Sequence, residues 1–164
     1  MPIAAIALGS NLASQWGDRA ANLREAASRI ATLGQVRAIS SFYDTAPVGY
    51  TDQPRFLNAA VLLETGLQPL DLMRALLQIE QAMGRDRSAV VAKGPRIIDL
   101  DLLLMDEVVL TDARSPDGQI ALTLPHPAMA QRRFVLEPLA EIAPHRIDPN
   151  SGHTIAELLS NLAG

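Results

Sequence analysis

The sequence predicts an α+β fold of ferredoxin-like type: a βαββαβ core with an added C-terminal hairpin and helices, the sheet covered by helices. Three observations predict it. Short apolar runs bounded by turn residues alternate with segments whose apolar residues recur at helical spacing. Their order is strand, helix, strand, strand, helix, strand, the split βαβ arrangement. The chain has 164 residues, enough for one domain with a real core and too few for two, so residues 1–164 are read as a single domain.

Each element has a local cause. The run "IAAIAL" at 3–8 is stopped by Gly9-Ser10-Asn11 and reads as a buried strand entering a loop. Asp18 is placed to cap a helix carrying Leu23, Ala27 and Ile30 on one face, and Gly34 is the expected stop. The segment "QVRAISSFYD" at 35–44 reads as one strand, followed by the loop "TAPVGYTDQP" and a second strand-like run, "RFLNAAVLLET", closed by Gly66. Pro69 suits the first turn of a helix whose apolar face is Leu72, Leu76, Ile79 and Met83, ended by Gly84. The strand "IIDLDLLLM" follows after a loop, then the hairpin-like "VVLTD…GQIALTL" and a proline-broken stretch, "LPHPAMAQRRFVLEPLAEIAP". Thr154 with Glu157 three residues on forms a capping box for the last helix.

Composition narrows the function. Hydrophobic residues make up 48% and charged residues 20%, an ordinary globular balance, and the net charge is −4. An acidic chain is not built for general nucleic-acid or acidic-membrane binding. There are no cysteines, which removes disulfide and thiolate chemistry and agrees with a reducing cytosol. No apolar run approaches the ~18–20 residues that span a bilayer, and the N-terminus lacks the regions of a signal peptide. A cytoplasmic protein is expected.

Within this acidic chain the basic residues gather. Arg85, Arg87, Lys93 and Arg96 fall within one short stretch, and Lys93 is the only lysine. Arg132 and Arg133 form a second basic pair after His126. Arginine's planar fork matches phosphate oxygens bidentately. The first cluster runs directly into "GPRIIDLDLLL" at 94–104, where Asp99 and Asp101 would point to one face of a strand and Leu100 and Leu102 to the other. Alone, a D-x-D in a strand reads as solvated alternation, or Asp99 as a turn cap. Beside an arginine-rich loop, the two carboxylates become ligands for Mg2+, which takes hard oxygen donors. Carboxylates, magnesium and arginines together describe phosphoryl or nucleotidyl transfer. No P-loop, protein-kinase or dinucleotide-binding fingerprint occurs.

Five segments in order resemble the 6-hydroxymethyl-7,8-dihydropterin pyrophosphokinase family of folate biosynthesis over essentially the whole chain. They are "ALGSNL" at 7–12, "SSFYDTAPVGYTDQPRFLNAAV" at 40–61, "IEQAMGR" at 79–85, "GPRIIDLDLLL" at 94–104 and "LPHPAMAQRRFVLEPLAEIAP" at 124–144. The resemblance implies a ferredoxin-like fold and one-step transfer of the β,γ-pyrophosphoryl group of ATP to the pterin hydroxymethyl oxygen, leaving AMP, with two Mg2+ ions assisting. It implies that Asp99 and Asp101 are metal ligands and that Arg85 and Arg96 contact phosphate, with Arg87 in the same loop. It puts Glu80, His126 and Arg132 on the ATP side. It makes Phe56 and Phe134 the stacking residues for the pterin, Asn58 a partner for the ring edge, and the backbone of Thr45, Ala46 and Val48 a further reader of that edge. Arg85, Arg96, Asp99 and Asp101 form the implied catalytic set. The loop before "GPR" often carries a tryptophan in this family; here it has Ala92 and Lys93, and the one Trp is Trp16. No general base stands out.

Two other readings use the same residues. A metal-dependent nucleotidyltransferase would employ the Asp pair and arginines but release pyrophosphate in place of AMP. A ferredoxin-like binding module would not need Asp99 and Asp101 together, and the chain lacks the interleaved basic and aromatic strand residues of an RNA binder. The expected partners are two small molecules, ATP and the pterin, with neither nucleic acid nor membrane, acting on a monomer.

Overall fold

A strand with "IAAIAL" at its heart has no polar face, so it must lie inside a sheet covered on both sides. The computed structural model describes residues 1–46, 54–84 and 96–162. In it β1 (Ile3–Ser10) is central. It pairs antiparallel with β4 (Phe56–Glu64) on one side and with β5 (Asp99–Met105) on the other. β2 (Gln35–Ile39) extends the sheet beyond β4, giving the order β2-β4-β1-β5, and β3 (Tyr43–Thr45) also pairs with β4. All of these pairings are antiparallel.

Side-chain alternation divides the core in two. Ile6, Leu8, Val61, Leu63, Leu100 and Leu102 face α1 (Arg19–Ile30) and α2 (Pro69–Ala82). Ala5, Ala60, Leu62 and Leu103 face α3 (Arg133–Ile142) and α4 (Ile155–Asn161). No helix among the described residues is long and apolar enough to cross a membrane.

The helix signals act through identifiable bonds. Asp18 caps α1 by accepting from the Ala21 N–H at 2.9 Å. The buried face of that helix is Leu23, Ala26 and Ile30, with Ala27 only partly covered; the expected Ala27 is one position too far round the turn. Pro69 starts α2, and Leu72, Leu76, Ile79 and Met83 are buried as their spacing predicts. Gly84 follows with φ +98°, a left-handed conformation that suits glycine after a helix. Thr154 and Glu157 exchange both bonds of a capping box.

Three local expectations are revised. The segment 35–44 is two strands. Both pair with β4, and Ser40 sits between them, its Oγ accepting from the Ala60 N–H at 2.9 Å. The proline-broken stretch contains α3, which runs through Pro138. Gly34 has extended backbone, so it is not a left-handed helix stop. Glycine is required there because a Cβ would meet the Glu64 carbonyl oxygen at 2.1 Å. The 111–123 segment, which carried no functional expectation, belongs to the β6 (Leu110–Arg114) and β7 (Ala121–Leu124) hairpin. Its turn is pinned to α2 by Arg74 and Asp117 at 2.8 Å.

Gly34→Ala is therefore expected to cost about 3 kcal/mol or more, because the clash is with backbone that is itself part of the sheet. Thermal melting should show Tm lower by roughly 6 °C or more. An unchanged Tm would disprove the close-approach account of this glycine.

Candidate active site

Among the described residues the α3 face of the sheet is left uncovered at one end, and the exposed stretch is the floor of a cleft of about 310 Å³. The floor is cheap in volume: β1 contributes Ala7, Leu8 and Gly9, and the side chain of Leu8 is buried in the core on the other side of the sheet. Gly9 pairs with Asn58 on one side and Asp99 on the other; Ala7 pairs with Ala60 and Asp101. Residues paired across neighbouring strands share a face, so an amide and a carboxylate flank Gly9 two strands apart, roughly 10 Å. Asp101 lies one row further along on the same face. Leu100 and Leu102 turn into the core and are 2% and 1% exposed, which fixes the outward direction of both carboxylates.

Asn58 is buried at 6% exposure and donates from Nδ2 to the Thr45 Oγ1 at 2.5 Å. A Cβ on residue 9 would lie 3.1 Å from Asn58 Oδ1 and 3.7 Å from the Phe56 ring, so glycine makes room for both side chains. Thr45 and Ala46 form the wall beyond them, and Phe134 and Val135 of α3 form the facing wall. The Arg132 guanidinium lies over the Phe134 ring at 5.7 Å from its centroid.

Polar side chains set the approach to the cleft. Asn11 bonds both backbone groups of Arg96: Asn11 Oδ1 accepts from the Arg96 N–H at 2.6 Å, and the Asn11 N–H donates to the Arg96 carbonyl at 2.9 Å. Asn11 Nδ2 also donates to the Pro54 carbonyl at 3.1 Å. Behind it, the fully buried Asn22 donates to Ser10 Oγ, the Leu12 carbonyl and the Ile97 carbonyl, and its Oδ1 accepts from Ser14 Oγ. The loop leaving β1 and the chain entering β5 are thus held together. Sequence reasoning marked "ALGSNL" as a segment but assigned no part to Ser10, Asn11 or Asn22; a polar Asn at a buried helix position was the available signal.

His126 lines the cleft, and its backbone N–H donates to the Leu103 carbonyl at 2.9 Å. Its Nδ1 accepts from the Ala128 N–H at 3.2 Å, which leaves Nε2 to carry the ring proton. Burial holds its pKa below the ordinary 6.5, with the positive charge of Arg132 adding to the effect and Asp99 opposing it. The imidazole is a neutral donor at neutral pH.

Of the residues singled out in the sequence, Thr45, Ala46, Phe56, Asn58, Arg96, Asp99, Asp101, His126, Arg132 and Phe134 all line this one cleft. Glu80 is on α2, 1% exposed, and its Oε2 accepts from the Leu100 N–H at 2.8 Å, gripping β5 between the two aspartates. Val48, Arg85 and Arg87 lie outside the described residues, as do Ala92, Lys93 and most of the loop that carries them.

Comparison with known proteins gives a consistent result. Residues 5–144 match the family model of 7,8-dihydro-6-hydroxymethylpterin-pyrophosphokinase. The chain is 46% identical to the 2-amino-4-hydroxy-6-hydroxymethyldihydropteridine pyrophosphokinase of Bacillus subtilis, over 85% of this chain and 77% of that protein. With the protein of the same name in Methylorubrum extorquens identity is 42%, over 99% and 94%. The folic acid synthesis protein fol1 of Schizosaccharomyces pombe is 36% identical over 98% of this chain, which spans only 20% of that longer protein. The crystal structure of Plasmodium falciparum HPPK-DHPS shares the fold, with TM-score 0.73 at 17% identity, covering 98% of this chain and 43% of that one.

The depressed pKa of His126 has a pH consequence. Its folded pKa lies below the unfolded value of 6.5, so as pH falls the unfolded chain binds the proton first. His126 is neutral in its effect well above 6.5 and opposes folding progressively below it. His126→Asn should flatten the loss of stability between about pH 7 and pH 5, measured as the change in urea midpoint. Identical slopes in variant and wild type would contradict the burial of this imidazole.

Proposed function

The chain belongs to the 7,8-dihydro-6-hydroxymethylpterin-pyrophosphokinase family, and we propose that its cleft carries ATP and the hydroxymethyl pterin side by side, with the pterin between Phe56 and Phe134. The hydroxymethyl oxygen attacks the β-phosphorus of ATP and its proton passes to solvent. A new O–P bond forms, the bond to the α,β-bridging oxygen breaks, and AMP leaves with the pterin diphosphate as the other product. One observation carries this reading: a carboxylate pair, an amide and two aromatic rings line the same cleft.

The pterin side follows from ligand chemistry. A flat heterocycle with apolar faces and a polar edge calls for rings above and below and fixed donors and acceptors at the rim. Phe56 and Phe134 supply the faces. Asn58, oriented by Thr45, supplies an amide, with Thr45 and Ala46 lining the same cleft and the Val48 backbone assigned to the same edge. The ATP side follows from charge. Arg96 and Arg132 meet phosphate oxygens, joined in the proposal by Arg85 and Arg87, and neutral His126 donates from Nε2. Glu80 belongs to the ATP side through its hold on β5.

Asp99 and Asp101 fit Mg2+. They are two carboxylates on one strand face beside a phosphate site, and Mg2+ typically takes one or two carboxylates and fills its remaining positions with water and phosphate oxygens. Bound there, two Mg2+ ions would neutralise the transferring phosphates and orient the attacking and leaving oxygens. The chain's own part is to hold the two substrates in line, keep water out and present donors where charge develops. The strand order β2-β4-β1-β5 supports a ferredoxin-like βαββαβ core with an added C-terminal hairpin. In the same reading residues 1–164 form one domain, acting as a cytoplasmic monomer.

Mixing the protein with Mg2+, ATP and 6-hydroxymethyl-7,8-dihydropterin should release AMP. Pyrophosphate in its place would assign the chain to nucleotidyl transfer. Asp99→Ala or Asp101→Ala should retain the fold by circular dichroism and lose roughly a thousandfold in turnover, about 4 kcal/mol of barrier. Full activity in both would remove the metal assignment. Gly9→Ala should act differently. Its Cβ stands 3.1 Å from Asn58 Oδ1 and pushes the amide by a few tenths of an ångström, so pterin KM should rise several-fold while ATP KM stays put. Equal changes in both would mean the glycine serves only packing.

A further inference from the structure

We infer that Glu141 is a positioning residue for the pterin: through Ser41 and Tyr43 it sets the separation between the two walls of the slot. This rests on the pterin side of the cleft being as proposed above.

The walls come from separate elements. Phe134 stands near the start of α3, and Thr45 and Ala46 stand at the end of β3. β3 is three residues long and, among the described residues, pairs with β4 alone. So short a ladder holds its strand weakly unless side chains add to it. Glu141 adds to it from the wall opposite. It lies seven residues beyond Phe134, two turns along the same side of α3, about 10 Å along the axis.

Its carboxylate collects three donors from the β3 side. The Tyr43 hydroxyl donates to Oε1 at 2.7 Å. The Ser41 N–H lies between both oxygens, at 3.1 and 3.0 Å. Ser41 Oγ donates to Oε2 at 3.1 Å. The electrostatics agree from both ends. The bond to Glu141 lifts the Tyr43 hydroxyl to about 12, and the bonds from Tyr43 and Ser41 pull Glu141 below the usual carboxylate range. Donor and acceptor keep these roles throughout the neutral range.

From Tyr43 the constraint reaches the substrate in two steps. Tyr43 is paired in register with Asn58. Thr45, two residues on and on the same strand face, accepts from Asn58 Nδ2. The opposite side of β3 is gripped as well: Asp44 accepts from Arg55 Nε at 2.8 Å and from Arg19 Nη2 at 3.1 Å. Arg19 and Arg55 tie β3 to its own side of the molecule. Glu141 ties it to the Phe134 wall.

The test is steady-state kinetics of the full chain with pterin and ATP varied separately, following AMP. Glu141→Ala should raise pterin KM about tenfold, with ATP KM within about twofold and kcat within about threefold. Glu141→Gln, whose amide oxygen still accepts from Tyr43, should recover most of the loss. If Glu141→Ala does not fold, Tyr43→Phe, which removes one hydroxyl, should raise pterin KM about threefold. An unchanged pterin KM in a folded Glu141→Ala or in Tyr43→Phe overturns the inference, and so does an equal rise in both KM values. AMP from the wild type with either result leaves the reaction standing and the latch refuted. No AMP from the wild type overturns both.

Discussion

The row Tyr43, Asn58, Gly9, Asp99 is the constraint on which the cleft depends. Four strands contribute one residue each, and their register is set by antiparallel pairing. Side chains alternate with period two, so a slip of one residue in any strand would turn its contribution to the opposite face. A slip of β5 would aim Asp99 and Asp101 into the apolar layer under α1 and α2 and bring Leu100 and Leu102 into the cleft. Burial of those leucines makes the slip costly. The same force that builds the core thus aims the carboxylates.

Edge strands need further support, and here polar groups supply it. β5 is the outer strand of the sheet. Glu80 takes its Leu100 N–H, while Asn11 and Asn22 hold the residues leading into it. Buried amides and carboxylates are expensive unless satisfied, and each of these bonds joins segments far apart in sequence. They exchange desolvation for a defined entry of Arg96 and Asp99 into the cleft. β3, at the other rim, is held likewise by Asp44 and Glu141.

The electrostatics suit a protein that is acidic overall and handles a more acidic ligand. Arg96 and Arg132 line the cleft beside two carboxylates. Arg132 rests on Phe134, so in the proposed reading one side chain joins the phosphate side to the pterin side. His126 is kept neutral by burial, which makes it a hydrogen-bond donor without adding a fixed charge.

The sequence by itself determined the elements and most of the cleft. Apolar periodicity located α1, α2, β1, β4 and β5, because burial of one face imposes a period that survives in the residues. Capping chemistry located Asp18 and Thr154 because those bonds are local. Asp99 and Asp101 were legible from alternation and the neighbouring arginines, and Arg132 as one of a basic pair; Phe56, Asn58, His126 and Phe134 were given roles only through resemblance, since a lone ring, imidazole or amide carries no spacing signal. The break at Ser40, the run of α3 through Pro138 and the need for glycine at position 34 were decided by tertiary structure. Each depends on what another strand or helix places alongside. The same holds for Asn11, Asn22 and Glu141, whose partners lie up to 100 residues away. Local propensity carries no information about such pairs, and only the packed sheet brings them within hydrogen-bonding distance.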